Sequence, residues 1–210
     1  MKYFYNIELY YDGQNYFGWQ RQKEFNTIQG TLENSLRKIT TSEKIRTIGS
    51  SRTDAGVHSR ANICFIQIQE DFEPGELLEK LNSSLPGDIT VSKCERTYSH
   101  FKVIYFAERK QYIYLFKNNS SDEDSPYFHN IEASLDIGKM KEAAKEFIGV
   151  HDFTNFCFKA AKNTEKVREV YKCEIIEDQD FITSNNCSGS YALIIEGNGF
   201  LKQMVRIIMG

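Results

Sequence analysis

Ser50-Ser51-Arg52-Thr53-Asp54-Ala55-Gly56-Val57-His58 lies between two apolar runs, residues 45–50 and 61–68, that read as strands. A connection between two buried strands is ordinarily short and bland. This one carries an arginine, a carboxylate, two small residues and a histidine. In an extended backbone residues two apart share a face, so Arg52 and Asp54 can address one point in space. Ala55 and Gly56 add no bulk, which leaves room for a planar ligand or a backbone to approach. An aspartate before Ala-Gly is also ordinary turn chemistry, its carboxylate accepting backbone N–H groups. The surroundings must therefore decide between a turn and a site.

Upstream, residues 3–11 are rich in aromatic and β-branched side chains and end at Asp12-Gly13, a strand followed by a turn. A polar and aromatic loop follows, carrying the single tryptophan, Trp19. Asn26-x-x-Gln29 has the layout of a capping box. Beyond it Ile28, Leu32, Leu36 and Ile39 keep one face of a helix that should end near Thr40. Downstream of the loop, Pro74-Gly75 opens a helix over residues 76–81, and Pro86-Gly87-Asp88 introduces another strand.

The second half repeats this order. Residues 103–117 read as a strand, 135–148 as a helix, 167–176 and 191–196 as strands, and 200–209 as a helix. Two β-α-β-β-α series imply an α+β protein of two ferredoxin-like halves, residues 1–100 and 101–210. Residues 118–125 are polar and acidic and read as a mobile surface loop.

Composition bounds the functions. The 210 residues are 40% hydrophobic and 26% charged, as in ordinary globular proteins. No stretch is apolar for long enough to span a bilayer. The N-terminal residues run straight into a strand pattern without a signal-peptide layout, so a cytoplasmic location is expected. The five cysteines are scattered, with no Cys-x-x-Cys and none near a histidine at ligand spacing, which argues against disulfides and a metal site. A net charge of −3 argues against indiscriminate polyanion binding. The charges are segregated, however, with basic residues gathered at 102–117, 159–172 and 202–206.

Arg52-Thr53-Asp54-Ala55-Gly56-Val57-His58 resembles the active-site signature of the tRNA pseudouridine synthase A (TruA) family. Further segments match in the family's order: Tyr11-Asp12-Gly13, Tyr16-Phe17-Gly18-Trp19-Gln20-Arg21-Gln22, Leu85-Pro86-Gly87-Asp88-Ile89, Tyr112-Ile113-Tyr114, Asp152-Phe153-Thr154-Asn155-Phe156 and Gly197-Asn198-Gly199-Phe200-Leu201-Lys202-Gln203-Met204-Val205-Arg206. The resemblance covers essentially the whole chain. It implies a mixed, largely antiparallel sheet with a central RNA-binding cleft, isomerisation of uridine to pseudouridine at positions 38, 39 and 40 of the tRNA anticodon stem-loop, no cofactor, no metal, and a homodimer.

The resemblance assigns roles residue by residue. Asp54 is the nucleophile and Arg206 its salt-bridge partner. Tyr112 stacks on the target uracil. Arg52, beside the nucleophile, assists in drawing the uridine from its stack or pairs with Asp54 itself. His58 matches a histidine of the family taken as structural, while Tyr16, Trp19, Gln20, Arg21 and Gln22 read, on their residue types, as a loop able to grip RNA backbone, with Trp19 alternatively part of the core. The chain also departs from the family pattern. Ser51 replaces a glycine, Lys102 and Ile104 replace a histidine and an arginine, Lys202-Gln203 replaces an arginine pair, and Ala61-Asn62-Ile63 replaces Gly-Gln-Val. Asp54, Tyr112 and Arg206 are intact. The same chemistry on another RNA, or an RNA-binding paralogue without activity, are the competing readings. Ending at Gly210, within an apolar helical pattern, the sequence reads as a fragment or a short member whose last helix should leave apolar surface uncovered.

Overall fold

A computed structural model describes residues 1–118, 127–159, 164–177 and 190–210. The acidic stretch at 119–125, Lys162 and Cys187 lie outside the described residues. The chain is α+β and divides into two compact units, Met1–Ala107 and Glu108–Gly210.

In the first unit the order is β1 (Tyr3–Tyr11), α1 (Ile28–Ile39), β2 (Arg46–Gly49), β3 (Ser59–Ile68), α2 (Pro74–Ser84), β4 (Ile89–Arg96) and a single helical turn, α3 (Val103–Phe106). The sheet order is β2-β3-β1-β4 with every pairing antiparallel, the ferredoxin-like arrangement. Alternation along β1 sends Tyr5, Ile7, Leu9 and Tyr11 to one face. There they meet Ile28, Leu32 and Leu36 of α1 and Leu77 and Leu81 of α2. Each such apolar side chain contributes about 1.5–3 kcal/mol by leaving water. Helix α1 starts one residue later than the capping-box reading: Thr27, not Asn26, is the N-cap, its Oγ1 accepting from Gly30 N at 3.3 Å. Gln29 is then free for another task, described below. The helix ends where Thr40 turns extended and its N–H closes on the Leu36 carbonyl.

Residues 103–117 are not one strand. Val103–Phe106 forms α3, with Tyr105 and Phe106 N–H both donating to the Lys102 carbonyl, and β5 runs over Lys110–Asn118. An apolar run of β-branched and aromatic residues has no period with which to separate a short helix from a strand.

The second unit contains β5, β6 (His129–Ile131), α4 (Ile137–Lys145), β7 (Gly149–Asp152), a 3-10 turn (Thr154–Phe156), β8 (Val167–Glu177), β9 (Ser190–Gly197) and α5 (Met204–Met209). Its sheet order is β6-β5-β9-β8-β7. Strands β8-β9-β5 repeat the order β2-β3-β1 of the first unit. Strand β6, running parallel, lies on the edge of β5 that corresponds to the place of β4 on β1. Strands β6 and β7, of three and four residues, carry no alternation long enough to read in the sequence. Residues 200–209 are helical only from Met204, because Gln203 takes a left-handed backbone with φ 58°. Among the described residues no helix is long and apolar enough to cross a membrane.

Candidate active site

The loop between β2 and β3 is held from four sides within the first unit. Trp19 N–H donates to the Thr53 carbonyl at 3.0 Å, and Gly56 N–H to the Tyr16 carbonyl at 3.1 Å. Val57 N–H closes a turn on the Asp54 carbonyl at 3.2 Å. The Tyr11 hydroxyl and Thr53 Oγ1 are 3.0 Å apart. Burial holds the Tyr11 phenol above its ordinary pKa, so it stays protonated as a fixed partner.

Two glycines bring the upstream loop this close. A Cβ on Gly13 would lie 2.1 Å from the Val57 carbonyl oxygen, and one on Gly18 would lie 2.5 Å from that of Thr53. Gly18 also has φ +87°, which other residues adopt only at a cost. Behind this contact Trp19, 1% exposed, packs against Gly49 so closely that a Cβ there would reach its ring. Trp19 and the buried Tyr16, whose hydroxyl donates to Asp88, are therefore supports of the loop and not a grip for RNA.

Asn62 is the support that the sequence did not reveal. Only 3% exposed, its Oδ1 accepts from Ser50 Oγ and Ser51 N–H, while its Nδ2 donates to the Ser51 carbonyl and the Tyr11 hydroxyl. It thereby fixes the backbone where the loop leaves β2. A polar residue in phase with Cys64, Ile66 and Ile68 on the inward face of β3 was the available signal. At the far end His58 Nδ1 is 2.9 Å from Asp12 Oδ1 and 3.2 Å from Gly13 N. A protonated Nδ1 donates to the carboxylate and a bare one accepts from the amide, so either form ties the loop to the β1 terminus.

On this frame Asp54 is half-buried and Arg52 exposed. Among the described residues of the unit no donor engages the Asp54 carboxylate. Arg21 is anchored instead: its guanidinium donates to Glu33 at 2.8 Å while remaining 59% exposed. Glu33 is buried and also accepts from Thr47 Oγ1, so its charge is paired and hydrogen-bonded, as burial requires. The buried Gln29 side chain accepts from Arg21 N–H and donates to the Thr47 carbonyl, joining the upstream loop to β2. A polar basin of about 490 Å³ opens beside Arg21, with Phe25 and Asn26 on its wall.

The other two residues belong to the second unit. Tyr112 on β5 is half-buried and meets Phe200 edge to face, ring centroids 5.0 Å apart. Tyr112, Tyr114 and Phe116 share the face against which Leu201 and Met204 pack. Arg206 is exposed on α5, where its charge acts against the desolvation that raises the Tyr114 phenol. The two residues thus flank one short segment, Phe200 to α5. Among the described residues no group of three or more His, Cys, Asp or Glu side chains could hold a metal ion.

A family model described as tRNA pseudouridine synthase matches residues 9–105 and 143–210. The tRNA pseudouridine synthase A of Thermoanaerobacter sp. (strain X514) is 37% identical over 206 residues, covering 97% of this chain and 80% of the relative. The tRNA pseudouridine synthase A 2 of Bacillus cereus (strain ZK / E33L) is 35% identical over 209 residues, covering 98% and 81%. The tRNA pseudouridine synthase A of Caldicellulosiruptor saccharolyticus is 34% identical, covering 97% and 80%.

Proposed function

The chain belongs to the tRNA pseudouridine synthase family, and from that premise we propose that it converts uridine to pseudouridine at positions 38, 39 and 40 of the tRNA anticodon stem-loop, with Asp54 as nucleophile. The reaction is an isomerisation. The bond from ribose C1′ to N1 breaks, the uracil turns, C1′ bonds to C5, and the C5 proton is exchanged for one on N1. Nothing is oxidised and no group is gained, so a carboxylate that traps an electron-poor intermediate is the chief requirement. The observation that carries the reading is a half-buried carboxylate on a loop whose backbone is held at Ser51, Thr53, Gly56 and Val57.

Supporting roles follow from the motif match. By the motif match Arg206 is assigned as the salt-bridge partner of Asp54. Exposed Arg52 assists extrusion of the uridine from its stem. Tyr112 stacks on the extruded uracil, which contributes about 1–3 kcal/mol against the unstacking cost. Arg21, braced on Glu33, contacts the RNA backbone. A homodimer with one tRNA spanning both subunits completes the reading, and light scattering at twice the chain mass tests it.

Asp54→Ala is expected to abolish pseudouridine formation on a tRNA transcript while thermal melting and RNA affinity stay close to those of the parent. Retention of the parent rate refutes the nucleophile. Pseudouridine mapping in cells lacking the protein tests the target. Loss at positions 38 to 40 supports it, and loss confined to other uridines moves it elsewhere.

A further inference from the structure

Phe158 follows the 3-10 turn with its ring 42% exposed. The ammonium of Lys159 lies 5.2 Å from the ring centroid and that of Lys202, from the loop before α5, lies 5.5 Å from it. Phe158 N–H donates to the Lys202 carbonyl at 3.1 Å, so the backbone itself ties the two segments together at the ring. Both lysines are exposed, and among the described residues neither joins an ion pair. Long ammonium side chains ordinarily extend into water and away from one another. Here two like charges converge on one exposed ring.

The backbone is unusual at the same place. Among the described residues Lys159, φ 49°, and Gln203, φ 58°, are the non-glycine positions with positive φ. One carries a cluster lysine and the other adjoins the second. Left-handed backbone at such residues persists only where the surroundings hold it, and it concentrates at binding sites.

We propose that Phe158, Lys159 and Lys202 form a second RNA contact, in which the ring stacks on an unpaired base and the ammoniums take the flanking phosphates. The proposal rests on the reading of this chain as an RNA-modifying enzyme and adds a place where the substrate is held. An exposed cation–π contact is weak and exchangeable. The lysines over the ring are placeholders: a phosphate draws the ammonium off and vacates the face for a base. Base stacking on an aromatic beside cationic side chains is how proteins hold single-stranded nucleic acid. With a net charge of −3 the chain has little general attraction for a polyanion, so local sites of this kind must supply it.

The test measures affinity for a fluorescein-labelled unmodified tRNA transcript by anisotropy, with Asp54→Asn in every protein so that the substrate is not consumed. Adding Phe158→Ala should weaken binding about 5- to 100-fold, and Phe158→Trp should restore it, as expected of stacking. Lys202→Gln, which keeps the backbone bond to Phe158, should reduce the slope of log affinity against log salt by about 0.7–0.9, the signature of one lost phosphate contact. Unchanged thermal melting confirms that these exposed substitutions leave the fold intact. Undiminished affinity in Phe158→Ala, or an unchanged salt slope in Lys202→Gln, overturns the proposal. A second assay, with Asp54 restored, separates the two readings. Pseudouridine formation unaffected by Phe158→Ala removes this contact and leaves the enzyme reading standing. A parent that neither binds nor modifies RNA removes both.

Discussion

Gly18→Ala and Gly56→Ala separate two effects that the Asp54 loop combines. Both glycines have positive φ, +87° and +75°, so alanine at either position pays for a left-handed backbone, about 1–2 kcal/mol. They differ in space. A Cβ at Gly56 meets nothing within 4 Å, whereas at Gly18 it lies 2.5 Å from the Thr53 carbonyl oxygen and 3.1 Å from the Asp54 carbonyl carbon. A carbon ordinarily keeps about 3.3–3.6 Å from a carbonyl oxygen, so the loop must retreat by about 1 Å. That retreat stretches the Trp19 N–H bond to the same oxygen, now 3.0 Å. Losing it costs a further ~1–3 kcal/mol. Gly18→Ala should therefore lose about 2–5 kcal/mol against about 1–2 for Gly56→Ala, read from urea unfolding at matched m-values. Because the displaced atoms flank Asp54, the proposed nucleophile, single-turnover pseudouridine formation should fall about 100-fold in Gly18→Ala. Equal destabilisation of the two variants, or a Gly18→Ala enzyme at the parent rate, would show that the contact does not set the loop.

Asn62→Ala removes the partner of both Ser51 backbone groups and one bond to the Ser50 hydroxyl, and should cost about 2–4 kcal/mol in urea unfolding. A loss under about 0.5 kcal/mol, the scale of an ordinary surface change, would mean the loop finds other partners. Burial raises the Cys94 thiol from 9.0 to about 11, so between those pH values the unfolded chain gives up a proton that the folded chain keeps. Stability must then fall as pH rises through that window, and Cys94→Ala should flatten the fall; parallel curves would contradict the assignment. Tyr112→Phe keeps the ring and its edge-to-face contact with Phe200, and should bind tRNA like the parent. Collapse of binding would place the hold on the hydroxyl.

The elements that the sequence disclosed are those whose signal repeats along the chain. Tyr5, Ile7, Leu9 and Tyr11 alternate, and Ile28, Leu32 and Leu36 recur at helical spacing, so β1 and α1 are legible without knowledge of their neighbours. Asp54 stood out for another reason: taken alone its carboxylate suits a turn, and His58 has a structural role at Asp12 and Gly13, so it was the resemblance of Arg52 to His58 to a known signature that marked it. What stayed hidden depends on meetings between distant segments. Asn62 looked like a mere departure from the family pattern, yet it closes onto Ser50 and Ser51. Gly13 looked like a turn residue and Gly18 like part of a polar loop, yet their value lies in what a Cβ would strike at Val57 and Thr53. Phe158 was an unremarked apolar residue until Lys202 came over its ring. A candidate site is thus announced by its motif, whereas the scaffold that holds its loop still is written in residues that look neutral until the chain folds. Substitutions at those quiet positions should damage catalysis in proportion to how far they let the Asp54 loop move, and damage it less at Gly56, where the added atom meets only open space and the left-handed backbone is the sole cost.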